Sequence, residues 1–299
     1  MVKKDMIGLG ALNYDVLYAV ERIARGGEEV GILEVKKAPG GSAANTIVAL
    51  ARLGAAVGFV GMVGTDEAGA LILDDFRSEG VETRIKKESG YTGAAIGFVD
   101  AQGERALYIY PGVNDQLYRE DIDTDFVNSA RFLHTSSFVS TEQLEMQCEL
   151  VKQHVKSKLS FSPGMLCFNY ELADLIDVLE RSAVVFLSID ELTSLMKGRA
   201  DYEEGAAVLL DTGAQIVCVT LGARGCYVTD SSGAAHLIEA YPTEVVDTTG
   251  AGDSFAAGFL YGLLQEKGIQ ESGKIGNKVA SFCIREYGAR KGLPYKLPL

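Results

Sequence analysis

Positive charge is in short supply in this sequence: 28 Lys and Arg stand against 41 Asp and Glu, a formal net charge of -13. That balance argues against broad binding of a nucleic-acid backbone, which calls for a basic face. An anionic substrate would need a locally basic or amide-rich pocket. Cysteine is scarce as well. The five (Cys148, Cys167, Cys218, Cys226, Cys283) are odd in number and lack C-x-x-C spacing. Neither a disulfide framework nor a zinc site is indicated, and buried reduced thiols in a cytoplasmic protein are expected. No apolar run approaches the ~18 residues needed to span a bilayer, so no membrane partner is expected. The segment after Lys3, Lys4 and Asp5 lacks a signal peptide's long apolar core and cleavage site. Only 6 prolines accompany 34 glycines, which favours tight turns and close backbone approaches over rigid linkers.

What is present is enough apolar surface for a large core: 299 residues, 47% hydrophobic, with no low-complexity tract. Met6 to Gly10 reads as a buried first strand. Ser42 to Leu53 carries apolar residues at helical spacing, with Ser42 as expected N-cap and Gly54 as stop. Val57 to Val63 reads as a strand and Asp66 to Glu79 as a helix ended by Gly80. Residues 92–110 form an expected hairpin around the turn 100–104, and Val30 to Lys37 has strand character; the two can pair into a small separate sheet. From Arg131 onward, apolar strands near 132–133, 159–162, 184–187 and 216–219 alternate with helical segments. Such alternation implies a mostly parallel sheet covered on both faces. A late hairpin (225–229 and 234–239) and helices at 254–266 and 271–287 close the chain. No repeat period or long linker divides it.

The most informative stretch is Val246-Asp247-Thr248-Thr249-Gly250-Ala251-Gly252-Asp253-Ser254-Phe255, which leads into an apolar helix. Glycines let the backbone approach an anion, and the helix start adds free N–H groups and the positive end of its dipole. Gly250, Ala251 and Gly252 are therefore candidates to stabilise a migrating phosphoryl group. Asp253, at the mouth of the turn, is placed to take a proton from an attacking hydroxyl. The plain alternative is that Asp253 caps the helix.

The stretch DTTGAGDSFAAGF resembles the C-terminal signature of the ribokinase or PfkB family of carbohydrate and nucleoside kinases. Pro39-Gly40-Gly41-Ser42-Ala43-Ala44-Asn45 is similar to that family's N-terminal glycine motif. The two lie about 200 residues apart in the family's order, and the resemblance covers essentially the whole chain. It implies an α/β fold of three layers (α/β/α, ribokinase-like and Rossmann-like) with a mostly parallel central sheet and a small β-sheet lid. Residues 1–12, 38–91 and 113–299 would form the core, and 13–37 and 92–112 the lid. It implies an ATP-dependent phosphotransferase acting on an alcohol group, a CH2OH, of a sugar. Asn13, Asp15, Gly40, Gly41 and Asn45 would bind the acceptor, Asn13 and Asp15 having ordinary turn chemistry as their alternative. Thr220, Gly222, Gly225 and Asn277 would bind the nucleotide, the glycine pair otherwise being a plain turn. Several members, not all, hold a monovalent cation at the positions of Asp247 and Thr249, which implies K+ there.

Two departures from the family pattern stand out. Ser188-Ile189-Asp190-Glu191 replaces an Asn-x-x-Glu motif associated with Mg2+, so Glu191 would act on the metal through water, Asp190 being equally a solvated helix start. The strand near 135 lacks the glutamate of ribose-specific members, and His134 is read as a structural histidine. A pentose, a hexose, a sugar acid or a nucleoside remains open as acceptor. Arg105 is the lid arginine suited to an acid, and Phe98, Tyr108 and Tyr110 are aromatic candidates for a base. Gly8-x-Gly10 faintly resembles a dinucleotide fingerprint without its third glycine. A catalytically silent sugar-binding module is the reading of a different class, and a homodimer joined through the lid is also expected.

Overall fold

A computed structural model describes residues 3–100, 102 and 104–297. Residues 101 and 103 of the expected hairpin turn, and the side chain of Arg105, lie outside the described residues. Nine strands form the large sheet, in the order Ala235–Ile238, Cys226–Asp230, Ile216–Thr220, Ser182–Ser188, Lys158–Ser162, Ala130–Ser136, Lys4–Leu9, Val57–Gly64, Glu82–Glu88. Pairing is parallel throughout except at the late hairpin, where Ile216–Thr220, Cys226–Asp230 and Ala235–Ile238 run antiparallel.

Neighbouring residues on the central strands enter different cores, which is the period of two expected of a sheet buried on both sides. Ile7, Leu133, Val185 and Val217 pack on one face, with Leu150, Leu179 and Leu209 of covering helices. Met6, Phe132, Val184 and Cys218 pack on the other, with Ile47, Phe255 and Phe259. The result is a three-layer α/β/α sandwich. A separate four-stranded sheet has the order Ile32–Gly40, Asn13–Val20, Ala94–Val99, Arg105–Tyr110. Asn13–Val20 runs antiparallel to the first of these and parallel to the third.

Two local expectations differ from the structure, and a strand stands where none was expected. The helix Ser42–Arg52 is capped by Gly41, at φ 104, and not by Ser42; the Ser42 hydroxyl is engaged elsewhere, as described below. The helix expected from Ser254 is Ala251–Leu264, with Gly250 as its left-handed N-cap at φ 76, so Asp253 sits inside the first turn. Glu82–Glu88 has no apolar alternation, yet it is a strand at the sheet edge with charged side chains. Such charges discourage further pairing at an open edge. Of the five free cysteines, Cys148 is half-buried and the rest are buried. Among the described residues, no helix is long and apolar enough to cross a membrane.

Candidate active site

Gly250 turns the chain from the loop into helix Ala251–Leu264 with a positive φ, and a Cβ there would run into Ala289. This turn aims Asp253 across the start of the helix toward helix Ser42–Arg52. Asp253 Oδ1 accepts from the Ser42 hydroxyl (2.7 Å) and Oδ2 from Asn45 Nδ2 (2.9 Å). The carboxylate is thus engaged by a neighbouring helix and does not cap its own. Burial pushes its pKa up, while Asn45, Ser42 and the Arg290 guanidinium oppose that rise. The Ala251 amide donates to Thr248 O (3.1 Å). The amides of Gly252 and Asp253 meet no acceptor among the described residues, as befits the first turn of a helix.

On the side of the small sheet, Asn13 and Gly40 are register partners and so are Asp15 and Ala38. A Cβ on Gly40 would overlap the Asp15 carboxylate, so the glycine is what lets Asp15 lie flat against the chain. Asp15 Oδ1 is buried without a hydrogen-bond partner. Burial raises the Asp15 pKa to about 7, against the pull of Arg290 and with a further push from Asp253. Asn13 Oδ1 accepts from Asn114 Nδ2 (3.1 Å), and Asn114 also brackets Leu12 with bonds to its N–H and C=O. Asn45, expected to bind the acceptor, donates from Nδ2 to Asp253 and accepts at Oδ1 from Arg290 Nε (2.8 Å).

On the other side, a cavity of about 430 Å³ is lined by Thr220, Gly222, Gly225, Asn277, Thr248 and Gly252, so the expected nucleotide residues do converge. Asn277 enters it with its Nδ2 committed to Ile238 O (3.1 Å) and Glu239 O (3.0 Å). Its first role is to tie helix Ile269–Cys283 to the last strand. Asn277→Leu is expected to cost about 1–3 kcal/mol by stranding those carbonyls, as read by urea denaturation. A second cavity, about 610 Å³, is lined by Asp15, Lys36, Asp247, Thr249 and Arg290. The loop 247–252 therefore separates two cavities, with Thr248 and Gly252 facing one and Asp247 and Thr249 the other.

Metal-binding capacity is limited. Among the described residues no group of three or more His, Cys, Asp or Glu could hold an ion. Glu191 Oε2 accepts from Ser188 N (2.7 Å) in a capping box, and burial raises its pKa, with Asp253 and Asp190 adding to the rise. It fits Mg2+ only as a contact through water, which suits an ion that keeps most of its waters. Asp247 Oδ1 accepts from Thr249 N (2.9 Å) and Oγ1 (2.7 Å), and Oδ2 from Gly288 N (2.8 Å). It ties the loop to the segment after the last helix. His134 is fully buried, bonds Ser160 Oγ through Nδ1 (2.9 Å), and has its pKa pushed by burial down to about 3. That is a structural histidine.

Arg290, Asn114 and the bond from Ser42 had no signal in the sequence. Arg290 follows the last helix in an irregular segment, and Asn114 follows Pro111-Gly112. Neither position shows periodicity or motif spacing.

Residues 3–296 match the family described as pfkB family carbohydrate kinase. A protein named as an uncharacterised sugar kinase of Archaeoglobus fulgidus is 39% identical over 249 residues, covering 82% of this chain and 98% of that protein. Ribokinase of Staphylococcus aureus is 32% identical over 305 residues, covering 98% and 97%. Among solved structures, ribokinase of Thermotoga maritima matches with a TM-score of 0.88 at 24% identity, over 97% of this chain and 96% of the other. The last likeness speaks for the fold alone.

Proposed function

We propose that this chain, which belongs to the pfkB family of carbohydrate kinases, transfers the γ-phosphoryl group of ATP to a CH2OH of a sugar, with Asp253 as general base. Membership makes it a kinase of sugars or nucleosides; the acceptor and the residue roles are our reading. The observation that carries them is the loop 247–252, which has a cavity on either side and the half-buried Asp253 carboxylate at its end. ATP fits the cavity of Thr220, Gly222, Gly225 and Asn277. The acceptor fits beside Asp15, whose unpartnered Oδ1 suits a hydroxyl donor.

In the transfer, the acceptor O–H proton passes to Asp253 as its oxygen bonds to the γ-phosphorus and the bond from that phosphorus to the bridging oxygen of ADP breaks. The Gly252 and Asp253 amides and the helix dipole are aimed where charge builds, and Gly250 and Ala251 fix the shape of that turn. Mg2+ would neutralise charge on the phosphates, with Glu191 orienting its waters; K+ beside Asp247 and Thr249 would act through the shape of the same loop. Residues 13–37 and 92–112 act as a lid that excludes water.

A sugar is favoured over a nucleoside by the way the small sheet faces. Asp15, Leu17, Gly97 and Leu107 share one face by register, whereas Tyr18, Phe98 and Tyr108 share the other. The aromatic residues able to stack a base point away from Asp15. A coupled assay of ADP release over matched sugars and nucleosides, with and without K+, tests this; faster turnover of nucleosides than of every sugar overturns the choice of acceptor.

The outward aromatic face supports dimerisation through the lid. Val35 (47% exposed), Tyr108 (62%) and Tyr110 (47%) lie on it, and exposed apolar side chains grouped on one face can mark an interaction site. Light scattering is expected to give a dimer, and Val35→Lys with Tyr108→Lys a monomer. A wild-type monomer at tens of micromolar rejects the interface.

A further inference from the structure

We infer that Arg290 is a positioning residue for Asp253, acting through Asn45. A planar guanidinium can hold several partners at once in fixed directions. Here Nε donates to Asn45 Oδ1 (2.8 Å), Nη1 pairs with Asp75, and Nη2 reaches Gly40 O (3.5 Å). The backbone is anchored too: Arg290 O accepts from Arg52 Nη1 (2.5 Å), and Arg52 itself pairs with Glu79 (2.6 Å).

The first bond decides the chemistry. An asparagine amide can present either its oxygen or its NH2 to a neighbour. With Oδ1 held by Arg290, Asn45 can present only NH2 to Asp253, and it donates to Oδ2 (2.9 Å). Asp253 Oδ1 is then left to the Ser42 hydroxyl and to an incoming acceptor. Without Arg290 the amide is free to flip, its oxygen would face the carboxylate, and the protonated form of Asp253 would gain a partner. Arg290 also contributes charge to the same place. Facing Asp253 are Ser42 and Asn45 from one helix, Glu191 from a second, Cys283 from a third and Asp15 from the small sheet. Arg290 is the cation whose field lowers the pKa of both Asp253 and Asp15.

This inference rests on Asp253 being the base, and one set of variants separates the two ideas. Arg290→Met is expected to lower kcat by about 10- to 100-fold, the size of effect a misplaced catalytic group produces. The acidic limb of its kcat/KM profile is expected to move to higher pH, and KM for ATP to stay within about threefold. Arg290→Lys keeps the charge and loses the forked geometry, so it should restore the limb while kcat stays low. Asp75→Asn breaks the pair on the far side of Arg290 and controls for lost folding, with thermal denaturation run on all three. It is expected to leave the limb where it is or move it to lower pH. An unmoved limb in Arg290→Met, or the same upward move in Asp75→Asn, overturns the role of Arg290. Turnover retained in Asp253→Asn overturns the base itself.

Discussion

Asp253→Asn is expected to lower kcat by about 10³-fold, within the range that a positioned general base supplies, while both substrates still bind. The fold should tolerate the change. Asn45 presents NH2 toward this side chain because its oxygen is held by Arg290. The new amide therefore settles with its oxygen toward Asn45 and its NH2 toward the Ser42 hydroxyl, which can accept as well as donate. The pH dependence gives a second signature. Burial raises the Asp253 pKa, and a base works only when deprotonated, so wild-type kcat/KM falls as pH drops through that value. The variant, having no carboxylate to titrate, should lack the limb. Steady-state kinetics against pH, with isothermal calorimetry for binding, decide the matter. A kcat within a few-fold of wild type removes Asp253 from the chemistry, and equal inactivity of both proteins over a broad panel of sugars and nucleosides supports a silent binding module.

Gly252→Ala is expected to cost about 10²- to 10³-fold in kcat, comparable to the loss of one donor at an oxyanion site, with folding unharmed. A Cβ on Gly252 would meet no protein atom within 4 Å, and alanine is the better helix former by up to ~1 kcal/mol. On the proposed reading, the methyl would project into the space of the transferring phosphoryl group. Gly250→Ala makes a useful contrast, because φ 76 and the approach of Ala289 put strain on the fold itself. Differential scanning calorimetry beside kinetics with ATP separates the two. A fully active Gly252→Ala enzyme would mean the migrating phosphate passes elsewhere.

The two glycine motifs and the alternating strands were legible, and Asp253 stood out as a candidate, because each is a local pattern: a run of turn residues, an apolar period, a carboxylate at a helix start. Strand Glu82–Glu88 was not, since its stability comes from pairing with Val57–Gly64 and its own residues carry charge for edge protection. Ser42 illustrates a different limit. Its residue type fits an N-cap, but the backbone of Gly41 takes that position and frees the hydroxyl for a partner 211 positions along the chain. Arg290 is the extreme case, a residue in irregular chain whose neighbours Gly40, Asn45 and Asp75 come from three other segments. Long-range polar networks of this kind are set by tertiary geometry, and no window along the sequence contains them.

Strand Ile32–Gly40 of the small sheet ends one residue before the helix that carries Ser42 and Asn45. If the small sheet covers the acceptor as proposed, a tilt of it would pass through Gly41 to Ser42 and Asn45, the two side chains that donate to Asp253. On the proposed reading, the proton affinity of the carboxylate would then follow the posture of the small sheet, so an alcohol that fails to seat the sheet would meet a base whose two donors are out of place.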